Sequence, residues 1–151
     1  MNVVNEMKLD FPASPENEAL ARLVISAFVL PLDPTLEQLA DIKTSVSEAV
    51  TNAIIHGYNN HRGLIRMSAA ICEDGRLSIE ILDKGVGIAD IAQARQPFFT
   101  TRAGDERSGM GFTVMESFMD SVEVRSVPGR GTCVHMEKYL GAQEEFGAQQ
   151  A

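Results

Sequence analysis

The stretch from Leu36 to Gly57 constrains the fold most. Apolar residues recur at Leu36, Leu39, Ile42, Val46, Val50 and Ile54, in the steps that place side chains on one face of an α-helix. Val46, Ala49, Val50, Ala53, Ile54 and Ile55 leave little of the last turns polar, so this helix is expected to be largely buried. Through that background runs a polar stripe, Glu48, Asn52 and His56, at successive steps of four. Buried polar groups need partners, and a cavity holding a charged ligand would supply them. Asp33-Pro34 reads as the start signal of this helix and Gly57 as its stop.

The rest of the chain supplies strands and further helices. Met7, Leu9 and Phe11 alternate with charged neighbours, as a half-buried strand should. Ser14-Pro15 predicts an N-cap and a first helical position, with Glu16 and Glu18 in the first turn and Leu20, Leu23, Val24, Ala27 and Phe28 as the apolar face. Leu64 to Ile71 and Leu77 to Leu82 flank Glu73-Asp74-Gly75-Arg76, where Asp-Gly signals a hairpin. From Ile88 to Ser108 no period holds beyond a short helical pattern at Asp90 to Arg95, and a connection that long is expected to be functional. Met110 to Met119 reads as a helix. Val122 to Val127 and Thr132 to Tyr139 read as a closing strand pair around Pro128-Gly129-Arg130-Gly131. The organisation is one α/β domain over residues 1–140 with a polar, frayed tail at 141–151.

Composition bounds the function classes. A chain of 151 residues with 44% hydrophobic and 23% charged side chains can bury one independent core. It has no apolar run near the roughly 18 residues of a membrane span. The start, Met-Asn-Val-Val-Asn-Glu, lacks a secretory pattern, so a cytoplasmic protein without a membrane partner is expected. Cys72 and Cys133 sit in separate apolar segments without metal or redox spacing and read as buried, reduced thiols. A net charge of −8 argues against direct binding of nucleic acid and means that an anionic ligand needs local help.

Such help is available. Asp83-Lys84-Gly85-Val86-Gly87 ends the second hairpin strand; glycines let backbone approach a flat ligand, and a carboxylate accepts from an exocyclic amino group. Ser108-Gly109-Met110-Gly111-Phe112 opens a helix, where free N–H groups can bind phosphate. Taken singly, the first also fits an ordinary turn, the second is a lone GxG, and Gly129-Arg130-Gly131-Thr132 also fits a hairpin. Combined with the Glu48/Asn52/His56 stripe, they read as a nucleotide site.

In order and spacing these four elements resemble the N, G1, G2 and G3 boxes of the superfamily of DNA gyrase, Hsp90, histidine kinases and MutL, over roughly residues 35 to 140. Glu48-Ala-Val-Thr-Asn-Ala-Ile-Ile-His-Gly-Tyr58 and Phe99-Thr-Thr-Arg with Glu106-Arg-Ser-Gly-Met-Gly-Phe112 resemble most the anti-sigma serine kinases of endospore-forming bacteria. The resemblance implies a two-layer α/β sandwich, with one mixed, mainly antiparallel sheet covered on one face by helices. It implies ATP and Mg²⁺ as cofactors. Asp83 would receive the adenine amino group with Thr132 nearby, and Gly85 and Gly87 would line the same pocket. Asn52 would ligate Mg²⁺, Glu48 would be the general base, and the amides of Ser108, Gly109, Met110, Gly111 and Phe112 would hold phosphates. Thr100, Thr101 and Arg107 would form a nucleotide-dependent lid, Arg107 reaching the γ-phosphate. The implied partners are a sigma factor, which is inhibited, and an anti-anti-sigma factor, which is phosphorylated on serine by a homodimer. Arg102 stands where lysine is expected, a planar fork in place of a compact ammonium.

Two other readings stay open, the catalytic domain of a histidine kinase and a binding module that uses the nucleotide only to set its conformation. Glu48 favours a hydroxyl acceptor, which must lose a proton, over an imidazole, which already has a lone pair. His56 fits either a hydrogen-bonded helix end or the nucleotide pocket. Arg22, outside the apolar face of the first helix, fits solvated surface or a partner anchor.

Overall fold

The computed structural model describes residues 2–96 and 111–141. Five strands, β1 (Val3–Pro12), β2 (Leu64–Cys72), β3 (Arg76–Asp83), β4 (Ser121–Val127) and β5 (Gly131–Tyr139), form one sheet in the order β1-β2-β3-β5-β4. Every pairing among them is antiparallel. The β2–β3 hairpin turns where Asp74-Gly75 is predicted to turn it, with Gly75 at φ +88°.

Helices α1 (Glu16–Val29), α2 (Leu36–Asn52) and α4 (Gly111–Phe118) and a single turn, α3 (Ile91–Ala94), complete the described elements together with a 3₁₀ turn at Leu30–Leu32 and a π-helical segment at Ala53–Gly57. The core lies on the helix-facing side of the sheet. Ile65, Met67, Leu77, Ile79, Ile81 and Met136 are buried there against Ile25, Ile42, Val46, Val50 and Met115. Each such side chain contributes about 1.5–3 kcal/mol by leaving water. The opposite face carries Glu80, His135 and Glu137, with the His135 ring between the two carboxylates at 3.1 and 2.9 Å. Burial pulls the His135 pKa down, but those carboxylates outweigh it and hold the imidazole above its ordinary value.

Several local expectations change. Helix α1 starts one residue late, with Pro15 at the N-cap position and no side-chain cap. Its buried face is Ala21, Ile25 and Val29, with Val24 and Phe28 packed beside it, whereas Leu20 and Leu23 are 39% and 70% exposed and Ala27 points outward. The helix is apolar on two sides, so hydrophobicity alone gave the wrong phase. The start of α2 is set by Thr35, whose hydroxyl accepts from the Gln38 N–H while the Gln38 side chain accepts from the Thr35 N–H, a capping box. Asp33 instead ends the 3₁₀ turn in a left-handed conformation. Of the two free thiols, Cys72 is buried and Cys133 only half-buried. Arg22 is tied to Glu18 at 2.8 Å, and Glu18 also accepts from the Ser47 hydroxyl, so this basic residue joins α1 to α2.

Among the described residues no helix is long and apolar enough to cross a membrane.

Candidate nucleotide site

One rung of the sheet organises the site. Phe11, Ile65, Asp83, Thr132 and Ser126 lie directly across from one another over all five strands, on the helix-facing side. Phe11 and Ile65 are buried and apolar, and the rung then becomes polar at Asp83, which is 5% exposed. Burial raises the Asp83 pKa, opposed by N–H groups of Gly85 and Thr132 that favour the carboxylate. The Gly85 N–H lies 2.9 Å from Asp83 Oδ1. Asp83 is therefore a strongly desolvated acceptor whose position is fixed by main chain.

The glycines explain why the corner closes so tightly. A Cβ on Gly57 would lie 2.9 Å from Asp83 Cγ, and one on Gly85 would lie 2.0 Å from the Gly57 carbonyl oxygen. The expected stop at Gly57 is therefore a packing requirement: the α-helix ends at Asn52, and from Ala53 to Gly57 the chain runs as a π-helix that delivers a residue without side chain to the Asp83 carboxylate. Gly85 and Gly87, expected to admit a flat ligand, lie close to the chain's own backbone, Gly85 at Gly57 and Gly87, at φ +77°, at the Val127 carbonyl.

Two hydroxyl groups that the sequence reading passed over hold this corner. Tyr58 Oη accepts from the Lys84 N–H at 2.7 Å and donates to the Leu64 carbonyl at 2.6 Å, clamping the residue after Asp83. Tyr58→Phe is expected to lower stability by about 0.5–1.5 kcal/mol per lost hydrogen bond, read as a lower denaturant midpoint at unchanged slope. Ser126 Oγ lies 2.7 Å from the Ile88 N–H, 2.9 Å from the Gly131 carbonyl and 2.9 Å from Thr132 Oγ1. Its signal was in the sequence: a turn around Pro128-Gly129 that pairs Val127 with Gly131 must set Ser126 opposite Thr132.

The second half of the site is at the start of α4. A Cβ on Gly111 would lie 2.9 Å from Asn52 Nδ2 and 3.2 Å from Glu48 Oε2, so both side chains converge on the first residue of that helix. The four-residue spacing on α2 thus does what the pattern implied for Glu48 and Asn52, both half-buried. His56 lies half-buried on the π-helical segment between the two halves. Phe112 has its side chain in the core, which leaves only its amide for a ligand. At its other end α4 is pinned by Lys138, whose Nζ donates to the Phe118 carbonyl at 2.6 Å and lies 3.7 Å from Asp41 of α2. Thr100, Thr101, Arg102, Arg107, Ser108, Gly109 and Met110 fall outside the described residues, as does the segment after Gly141. Among the described residues no group of three or more His, Cys, Asp and Glu is placed to hold a metal ion.

Fold and site together define an ATP-binding domain of the histidine kinase-like class, and residues 11–138 match the family of histidine kinase-like ATPase domains. Among curated relatives, an anti-sigma F factor of Thermoanaerobacter sp. (strain X514) is 54% identical over 95% of this chain and 100% of its own length. Another, of Geobacillus sp. (strain WCH70), is 56% identical over 90% of this chain and 93% of its own. The chain belongs to the anti-sigma F factor family. Solved structures share the fold at lower identity. The RsbU and RsbW domains of Rv1364c from Mycobacterium tuberculosis superpose with a TM-score of 0.65 at 20% identity, covering 90% of this chain and 32% of that one. The catalytic domain of the histidine kinase ThkA gives 0.54 at 15%, covering 88% and 95%.

Proposed function

We propose that this protein is an ATP- and Mg²⁺-dependent serine kinase that phosphorylates an anti-anti-sigma factor and also binds and inhibits a sporulation sigma factor, working as a homodimer in the cytoplasm. The convergence of the Glu48 carboxylate and the Asn52 amide on Gly111 carries the kinase reading. A serine hydroxyl must lose a proton to attack phosphorus, and a carboxylate beside a helix N-terminus is placed to accept it. The Asn52 oxygen is the kind of hard ligand Mg²⁺ takes, and the ion, which keeps waters and substrate phosphates for its other positions, would neutralise phosphate charge there. The Gly111 and Phe112 amides would face the phosphates, while Asp83 would accept from the adenine amino group, with Thr132 beside it and Gly85 and Gly87 shaping the loop. In this reading Thr100, Thr101 and Arg107 belong to a lid over the phosphates, Arg107 toward the γ-phosphate. The name of the relatives supports the sigma-factor partner, and the RsbU and RsbW neighbour is in keeping with a regulatory one.

Incubating the protein with γ-labelled ATP, Mg²⁺ and an extract of the source organism tests this. One small acceptor labelled on serine, as an acid-stable ester, is the expected result. An acid-labile label on histidine would replace the serine reading with that of a histidine kinase, and absence of transfer would leave only the nucleotide-switched binding module.

A further inference from the structure

Proton bookkeeping at the end of the polar rung assigns a role to a residue outside the motifs. Ser126 Oγ makes three contacts at hydrogen-bond distance, to the Ile88 N–H, the Gly131 carbonyl and Thr132 Oγ1. A serine hydroxyl has one proton to give and two lone pairs. The Ile88 amide can only donate and the Gly131 carbonyl can only accept, so all three bonds form in one arrangement only. Ser126 gives its proton to Gly131, accepts from Ile88, and must accept from Thr132.

The Thr132 proton is thereby committed to Ser126, and the Thr132 oxygen has only lone pairs left. Thr132 lies directly across from Asp83, itself an acceptor. Both are nearly closed to solvent, Thr132 8% and Asp83 5% exposed, so a ligand group that presents an acceptor there would meet two acceptors without water to relieve it. We propose that Ser126 is a specificity-determining residue that acts through Thr132: by holding the threonine proton it makes the base pocket read an exocyclic amino group and reject a carbonyl at the same place. The proposal rests on the nucleotide reading of the Asp83 corner and adds to it the residue that sets the polarity of the threonine.

The probe pair is ADP and inosine diphosphate, which differ on the six-membered ring by an amino group beside a bare nitrogen against a carbonyl beside an N–H. Titration calorimetry with Mg²⁺ gives the ratio of their dissociation constants. In Ser126→Ala the Thr132 hydroxyl is free to turn and donate, and the preference for ADP is expected to fall by about tenfold, the weight of one hydrogen bond. Ser126→Thr keeps a hydroxyl on a strand that tolerates β-branching and should keep the wild-type ratio. In a Thr132→Val background, Ser126→Ala should leave the ratio where Thr132→Val alone puts it, because the interaction through which it acts is gone. Equal weakening of both nucleotides in Ser126→Ala, or an unchanged ratio, would overturn the proposal while leaving the nucleotide site standing. A wild type that does not distinguish the two ligands overturns the base-pocket reading and this proposal together.

Discussion

Replacing Glu48 by glutamine is expected to cut phosphotransfer by roughly 10² or more while nucleotide affinity stays nearly unchanged. Glutamine keeps the shape that packs against Gly111, where a Cβ would lie only 3.2 Å from Glu48 Oε2, so the helix start should not move. What is lost is the ability to take a proton from the attacking hydroxyl. Asn52→Ala is the counterpart: it should weaken the Mg²⁺-dependent part of binding, since it would remove the proposed oxygen ligand. Single-turnover transfer to the acceptor protein, with calorimetric titration of the same samples, separates the two effects. Transfer by Glu48→Gln at the wild-type rate would mean that positioning alone carries the reaction and that Glu48 is not the base.

Asp83→Asn is expected to weaken adenine nucleotide binding by about 10- to 100-fold, corresponding to about 1–3 kcal/mol for a buried polar group left unpaired. The carboxylate accepts from the N–H groups of Gly85 and Thr132. An amide offers one oxygen for those donors and turns an NH₂ group toward another donor. In the wild type GTP should bind far more weakly than ATP, because its ring carbonyl would face the carboxylate; equal affinity for the two in calorimetry would remove Asp83 from the site. The sign of the pH effect follows from burial, which raises the folded-state pKa of Asp83. Ionised Asp83 then costs stability in full above the raised folded value, and that cost shrinks as pH falls from there and is gone below the unfolded pKa. A donor on the ligand favours the ionised form, so adenine nucleotide affinity should decline on acidification through the same window.

The sequence made the sheet and half of the site legible because those features depend on short-range rules. Asp74-Gly75 fixes a hairpin, alternation fixes which side of each strand faces the core, and a four-residue step brings Glu48 and Asn52 together. Features that depend on what a segment packs against were hidden. Leu20 and Leu23 looked like core because α1 is apolar on both sides, and only its position over α2 and β2 selects Ala21, Ile25 and Val29. Asp33-Pro34 is the louder start signal, although Thr35 and Gln38 have the spacing of a capping box. Gly57 reads as a terminator because its contact is with Asp83, 26 positions away in the chain, which no local pattern reports. Tyr58 ends the motif of α2 and Ser126 is set opposite Thr132 by its turn, but what their hydroxyl groups hold appears only when each hydrogen bond is counted.

The π-helical segment has a consequence for which ligands can fit at all. Asn52 faces the start of α4 and Gly57 faces the Asp83 corner, and the four residues between them, Ala53 to His56, run as π-helix. Ala53 and Ile54 are buried, so this stretch is locked into the core and cannot lengthen or shorten. It is a ruler. On the proposed nucleotide reading, a molecule whose ring and anionic ends are spaced otherwise would engage one half of the site but not both. Deleting one residue between Asn52 and Gly57 would turn the glycine away from the Asp83 corner and bring a side chain against the carboxylate, where a Cβ on Gly57 would already lie 2.9 Å from Asp83 Cγ.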